Sequence, residues 1–155
     1  MKFTIVAVSK HHKDALSDAI KEYCDRLKRG YSIKIINLKP ASESAGGAEQ
    51  KKKEAEKIMA ALPSGKVLKI ACDVKGKSID TQGFAEKIRE TGNQGVADIF
   101  FIIGGAFGLD ESVIARSDFS LSLSPLTLSH RVALLLLTEQ IYRAYTILTG
   151  HPYSK

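Results

Sequence analysis

The chain has 155 residues, 44% of them hydrophobic and 26% charged, which is the content of one globular domain able to bury a core. The longest apolar run near the end, Val132 to Leu137, falls well short of the ~20 residues of a membrane span, and no leader-like segment opens the sequence, so a cytoplasmic location is expected. Cys24 and Cys72 stand far apart in no metal-ligand spacing, and the net charge of +6 resides mostly in residues 1–62, with 13 basic and 8 acidic side chains, which suits either a polyanion or a plain solvated surface.

Phe3 to Val8 is almost wholly apolar and reads as an interior strand. A polar turn at His11, His12 and Lys13 leads into a helix on Leu16, Ala19, Ile20, Tyr23, Cys24 and Leu27, stopped at Gly30. Ile33 to Leu38 makes a second strand, ended by Pro40, and Ala41 to Ala48 reads as a flexible loop, the best candidate for disorder. The second helix is predicted over Glu49 to Leu62. It should bury Ala55, Ile58, Met59 and Leu62, with Lys51, Lys52, Lys53 and Lys57 in water.

Val67 to Val74 is the third predicted strand, followed by a loop at Lys75-Gly76-Lys77. A helix carrying Phe84 and Ile88 inward ends near Gly92. Ile99 to Ile103 is an uninterrupted apolar run broken by Gly104-Gly105, as expected of a strand buried on both faces. Asp110 can cap a short helix over Glu111 to Arg116. Phe119, Leu121 and Leu123 then alternate with Ser120, Ser122 and Ser124 in a fifth strand. A long last helix, about Val132 to Thr149, closes at Gly150. Alternating strands and helices predict an α/β domain with a largely parallel sheet over residues 1–155.

The glycines after the fourth strand, and the small residues after the fifth, mark strand ends where a ligand can be held by main chain. The dinucleotide fingerprint fails there, because Ile103 occupies its first glycine position and the turn follows the fourth strand, not the first. ACDVKGKS, Ala71 to Ser78, ends like a phosphate-binding loop, but its first glycine is Ala71 and its opening reads as strand. A nucleotide-hydrolysing enzyme is thereby disfavoured. Ser129 and His130 are neighbours whose side chains point apart, so they make no catalytic pair by themselves. His130 sits where the last helix begins. The helix N-terminus disfavours the imidazolium, so a neutral His130 could accept a proton, although the plainer reading is a helix cap. Tyr153, between His151 and Lys155, could stack on a base or belong to a frayed end.

FIIGGAFGL, LSLSPLTLSH and EQIYRAYTILTGHPYSK together resemble the SPOUT superfamily, specifically the ribosomal RNA large subunit methyltransferase H family. KFTIVAVSK and CDVKGKSID match as well, so the resemblance spans essentially the whole chain. It implies S-adenosylmethionine as methyl donor, with no metal, bound in a C-terminal trefoil knot. It also implies a homodimer with a substrate site shared between subunits, and methylation of N3 of a pseudouridine in helix 69 of 23S ribosomal RNA. Cofactor contacts then fall on Cys72, Gly104, Leu123, Ser124, Pro125, Leu126, Thr127 and Leu128. His130, Tyr153 and Lys155 fall on the catalytic, substrate-side positions.

The chain departs from the family pattern at four places. Members usually carry Pro at Ser129, Arg at Leu134, Leu at Cys72 and Arg at Lys155, and Arg131 is the candidate to replace the missing guanidinium. A branched side chain at Gly104 is expected to fill space that the cofactor needs. The helix from Val132 to Leu137 is apolar all round, which calls for a partner subunit. The expected substrate is the assembled ribosome, with no role for a membrane or DNA; the alternative is a catalytically silent RNA-binding module of the same fold.

Overall fold

The computed structural model describes residues 1–10, 13–27, 30–42 and 46–154. Three expectations therefore lie outside the described residues: the turn at His11 and His12, the middle of the proposed flexible loop, and Lys155.

Five strands form one sheet: β1 (Lys2–Val8), β2 (Ser32–Leu38), β3 (Leu68–Ser78), β4 (Asp98–Ile103) and β5 (Phe119–Ser122). The order is β2-β1-β4-β3-β5, and every pairing is parallel. Parallel neighbours need crossovers, and the helices supply them. These are α1 (Ala15–Arg26), α2 (Gly47–Ala61), α3 (Thr81–Asn93), α4 (Glu111–Ala115) and α5 (His130–Leu148), followed by a 3-10 turn at Pro152–Ser154.

The pleat sorts the core into two layers. Phe3, Ile5, Ile70, Ile99, Phe101 and Ile103 pack with residues of α1, α3 and α5. Val8, Ala71 and Ile102 turn the other way, onto Ala55 and Ile58 of α2 and Leu109 and Val113 beside α4. With both faces covered, the central strands have no polar side to show, which is why they read as continuous apolar runs. Among the described residues, no helix is long and apolar enough to cross a membrane.

Three elements differ from expectation. α2 begins at Gly47, inside the predicted loop, because Gly47 packs under the Phe107 ring; a Cβ there would lie 2.9 Å from Phe107 Cδ1. β3 does not end at Val74. Its register against β5 jumps from Cys72↔Leu121 to Lys77↔Leu121, so Asp73 to Gly76 bulge out and the strand resumes to Ser78. Gly76 permits this, since a Cβ there would stand 2.7 Å from the Leu121 backbone. The segment that imitates a phosphate loop is thus strand and bulge. Lastly, β5 stops at Ser122, and Leu123 already belongs to the loop leading to α5.

Helix starts follow sequence chemistry closely. Asp14, Asp80, Asp110 and Ser129 cap α1, α3, α4 and α5 through their side-chain oxygens. α1 and α5 are also tied at their starts, where the Arg131 guanidinium meets Asp14 and donates to Ser17 Oγ at 2.9 Å.

Candidate active site at the carboxyl edge of the sheet

Two adjoining cavities lie at the carboxyl ends of the strands, the place where open α/β sheets bind ligands. The first, of about 170 Å³, is walled by Cys72, Asp73 and Val74 of β3, by Ile103 to Ala106 and Gly108 after β4, and by the 123–128 loop. His130 and Ala133 close it from α5. The second, of about 1200 Å³, is an open cleft lined by Lys10, Lys39, Lys53 and Lys57, with Gln50, Glu56 and the ends of β1 and β2. Gly105, Ala106 and His130 are common to both. A small cavity and a large basic cleft therefore lie side by side across one shared wall.

Each wall has a local cause. The turn after β4 doubles back sharply: Gly108 takes φ +77°, and its N–H donates to the Gly105 carbonyl at 3.0 Å. Gly104 lies so close to this return that a Cβ would meet the Gly108 carbonyl carbon at 2.5 Å and the Leu109 nitrogen at 2.8 Å. Gly104 is thus required by the turn itself. A side chain there would clash with the backbone of the turn, whatever the cavity holds.

In the 123–128 loop, Ser122 Oγ donates to the Ser124 carbonyl at 3.0 Å, and the Leu126 N–H donates to Ser124 Oγ at 3.0 Å. These bonds hold the loop as a rim, with Leu126 largely exposed at 73%. Such a rim offers main-chain groups and apolar contact to a small ligand.

Of the eight expected cofactor positions, Cys72, Gly104, Leu123, Ser124, Leu126, Thr127 and Leu128 line the first cavity, while Pro125 does not. Cys72 sits between Ile103 and Leu121 in the sheet register. Burial pushes its thiol up to about 12, so it offers a protonated, apolar wall and no nucleophile. His130 faces both cavities as the first residue of α5. It is not the cap, because Ser129 Oγ accepts the Val132 N–H at 3.3 Å.

Tyr153 lines neither cavity. Its ring meets Tyr142 edge-on at 4.8 Å, the Arg143 guanidinium lies 5.1 Å from its centre, and its hydroxyl is 3.4 Å from that of Tyr23. The Tyr23 contact, with burial, pushes the Tyr153 phenol up to about 12. Leu134, at the family's arginine position, is core. Arg131 is already engaged by Asp14 and Ser17.

Sequence reasoning passed over Gln50 and Glu54, and it read Lys53 and Lys57 of the cleft as plainly solvated. Gln50 and Glu54 are both only 2% exposed and face inward from α2. Their signal was spacing: at one-turn intervals before Ile58 they continue the stripe assigned to apolar residues. Among the described residues, no group of three or more His, Cys, Asp or Glu side chains could hold a metal.

Comparison with known proteins places the chain in a family. The family described as "Predicted SPOUT methyltransferase" matches residues 1–154. The ribosomal RNA large subunit methyltransferase H of Carboxydothermus hydrogenoformans is 41% identical over 161 residues, and that of Halothermothrix orenii is 38% identical over 160. Each alignment covers the whole of both chains. Among solved structures, a probable methylase family protein from Haemophilus influenzae superposes with a TM-score of 0.54 at 16% identity, over 99% of this chain and 70% of that one. This likeness is one of fold. The chain belongs to the SPOUT methyltransferases and, within them, to the ribosomal RNA large subunit methyltransferase H family.

Proposed function

We propose that the protein transfers a methyl group from S-adenosylmethionine to ribosomal RNA of the large subunit, at N3 of a pseudouridine in helix 69. The observation that carries this reading is the wall of Gly105, Ala106 and His130 shared by a small cavity and a basic cleft. A group-transfer enzyme needs donor and acceptor on opposite sides of one short gap. The adenosyl group would lie against Gly104 and the 123–128 loop, within the C-terminal knot expected of SPOUT chains. The nucleic acid would enter by the lysine-lined side.

The chemistry required of the chain is limited. The sulfonium carries its own driving charge, so no metal is needed. N3 of the pyrimidine bears a proton and attacks only as that proton leaves, so a base must stand near the shared wall. His130 is the residue assigned this task, with Asp73 in the first cavity as the other candidate. The rest is alignment of N3, methyl carbon and sulfur.

The substrate we infer is the assembled ribosome, in the cytoplasm. A net charge of +6 gives weak, salt-dependent contact with free RNA, so selectivity must come from a large preformed surface. The functional unit is inferred to be a homodimer. Val132 is 41% exposed on α5, and Leu135 and Leu136 are half-buried, which leaves apolar surface for a second copy. Tyr153 lies outside both cavities of its own chain, and a site shared between subunits would give the tail a partner's RNA to meet.

Titration of the purified protein with S-adenosylmethionine and, separately, ATP tests the donor assignment. Saturable binding of the first alone is expected, and binding of ATP alone would overturn it.

A further inference from the structure

The most unusual side chain outside the elements already assigned is Glu54. It is 2% exposed, and its Oε1 accepts the Ala41 N–H at 3.1 Å and Gln50 Nε2 at 3.0 Å. Both donors are neutral. Its other oxygen, Oε2, is buried without any hydrogen-bond partner, and no ion pair among the described residues reaches the carboxylate. A buried carboxylate held by two neutral donors, with one oxygen unpartnered, is destabilising unless something positive approaches it.

Oε2 is aimed at one place. A Cβ on Gly105 would lie 2.7 Å from it, so the carboxylate presses on the bare backbone of a residue that walls both cavities. Only glycine at 105 lets a charge come this near without being exposed to either cavity. The reacting end of the donor must stand at that same wall, because the methyl passes from the small cavity to the basic cleft there. At that end the donor carries its one fixed positive charge.

We propose that Glu54 is a charge-selecting positioning residue. Its buried carboxylate, behind Gly105, favours a cationic sulfur over a neutral one and draws the sulfonium to the wall shared with the RNA cleft. The inference rests on the pocket's ligand being S-adenosylmethionine. It makes Glu54 selective between donor and spent product, since the thioether left after transfer has lost the charge. The donor is held and the product is not, which favours exchange after each turnover. Gln50 completes the device by fixing Oε1 and so directing Oε2 toward Gly105.

The test compares three ligands of nearly one shape by calorimetry: S-adenosylmethionine, sinefungin, which carries an ammonium near the sulfonium position, and the neutral S-adenosylhomocysteine. In Glu54→Gln, affinity for the two cationic ligands should fall about tenfold, a modest effect for one buried charge acting at short range, and affinity for the thioether should hold. A double variant, Gln50→Glu with Glu54→Gln, keeps the pair's composition and moves the charge one helical turn away. It should lose the same selectivity, and it serves if the single variant fails to fold. Equal losses for all three ligands would make Glu54 merely structural and overturn the proposal, as would unchanged binding of the cations. Failure of the unaltered protein to bind S-adenosylmethionine would instead remove the donor assignment beneath it.

Discussion

Gly104 and Gly108 touch backbone to backbone: a single Cβ at 104 would stand 2.5 Å from the carbonyl carbon of Gly108. The turn that walls the first cavity is therefore made of the contact that prevents its alteration. Gly104→Ala should lower the melting temperature by several degrees, as expected for ~1–3 kcal/mol of overpacking, and weaken cofactor binding with it. A thermal scan run beside a binding titration checks this, and an unchanged melting temperature would show that the turn can relax.

Leu126 provides the cleaner probe of the rim. It is 73% exposed, so removing its side chain should leave stability within ~0.5 kcal/mol, as for an ordinary surface substitution. Covered by an adenosyl group, it would contribute ~1.5–3 kcal/mol of burial at most. Leu126→Ala should thus weaken S-adenosylmethionine binding by about tenfold, the equivalent of ~1.4 kcal/mol. Unaltered affinity would take the rim out of the site.

The cysteines should be inert. Burial pushes Cys24 up to about 11 and Cys72 up to about 12, so neither is a thiolate at pH 8, and labelling by a disulfide reagent should wait on unfolding. Rapid reaction of Cys72 in the native protein would mean that the wall is more open and more polar than described.

The tie between α1 and α5 has a pH signature. The Asp14 carboxyl is held below its ordinary value of 3.8, first by the Ser17 N–H it accepts and further by the Arg131 guanidinium. A carboxylate depressed in the folded state stabilises the fold above its unfolded pKa, and that contribution is lost as pH falls through the folded one. Asp14→Ala should therefore be less stable than the unaltered chain at pH 7, with the gap closing below about pH 3.8. A gap that persists at pH 2 would assign the effect to the helix cap's shape rather than its charge.

Most of the architecture was legible because the sheet is parallel and covered on both faces. Phe3 to Val8 and Ile99 to Ile103 could scarcely be anything but interior strands, and Asp110 and Ser129 announce their helices. The 71–78 segment was misread because a bulge has no periodic signature; only its register against Leu121 reveals that the strand resumes. Gly47 was read as loop, since its packing under Phe107 is a contact sixty residues distant. The donor positions came from family resemblance, and seven of the eight line one cavity. Glu54 was passed over because a charged residue on a helix is read as solvated, although its one-turn spacing before Ile58 places it on the buried stripe.

On the proposed reading, the tail acts in a site completed by a second copy. Tyr153→Ala removes a ring from the Tyr142 and Arg143 cluster but touches no wall of the first cavity. Binding of S-adenosylmethionine should survive, while methyl transfer to ribosomes should fall at least about tenfold, the equivalent of ~1.4 kcal/mol. Full activity would return Tyr153 to a purely structural part.

The proposed reaction can be followed directly as tritiated methyl groups pass from S-adenosylmethionine into ribosomes that lack the modification, with naked large-subunit RNA alongside. Stoichiometric labelling of one nucleotide in helix 69 of the assembled ribosome is expected, with little in the naked RNA and loss of labelling in His130→Ala. Efficient labelling of naked RNA would contradict the assignment of the ribosome as substrate, and no labelling of either RNA by a protein that binds the donor would contradict the proposed reaction itself.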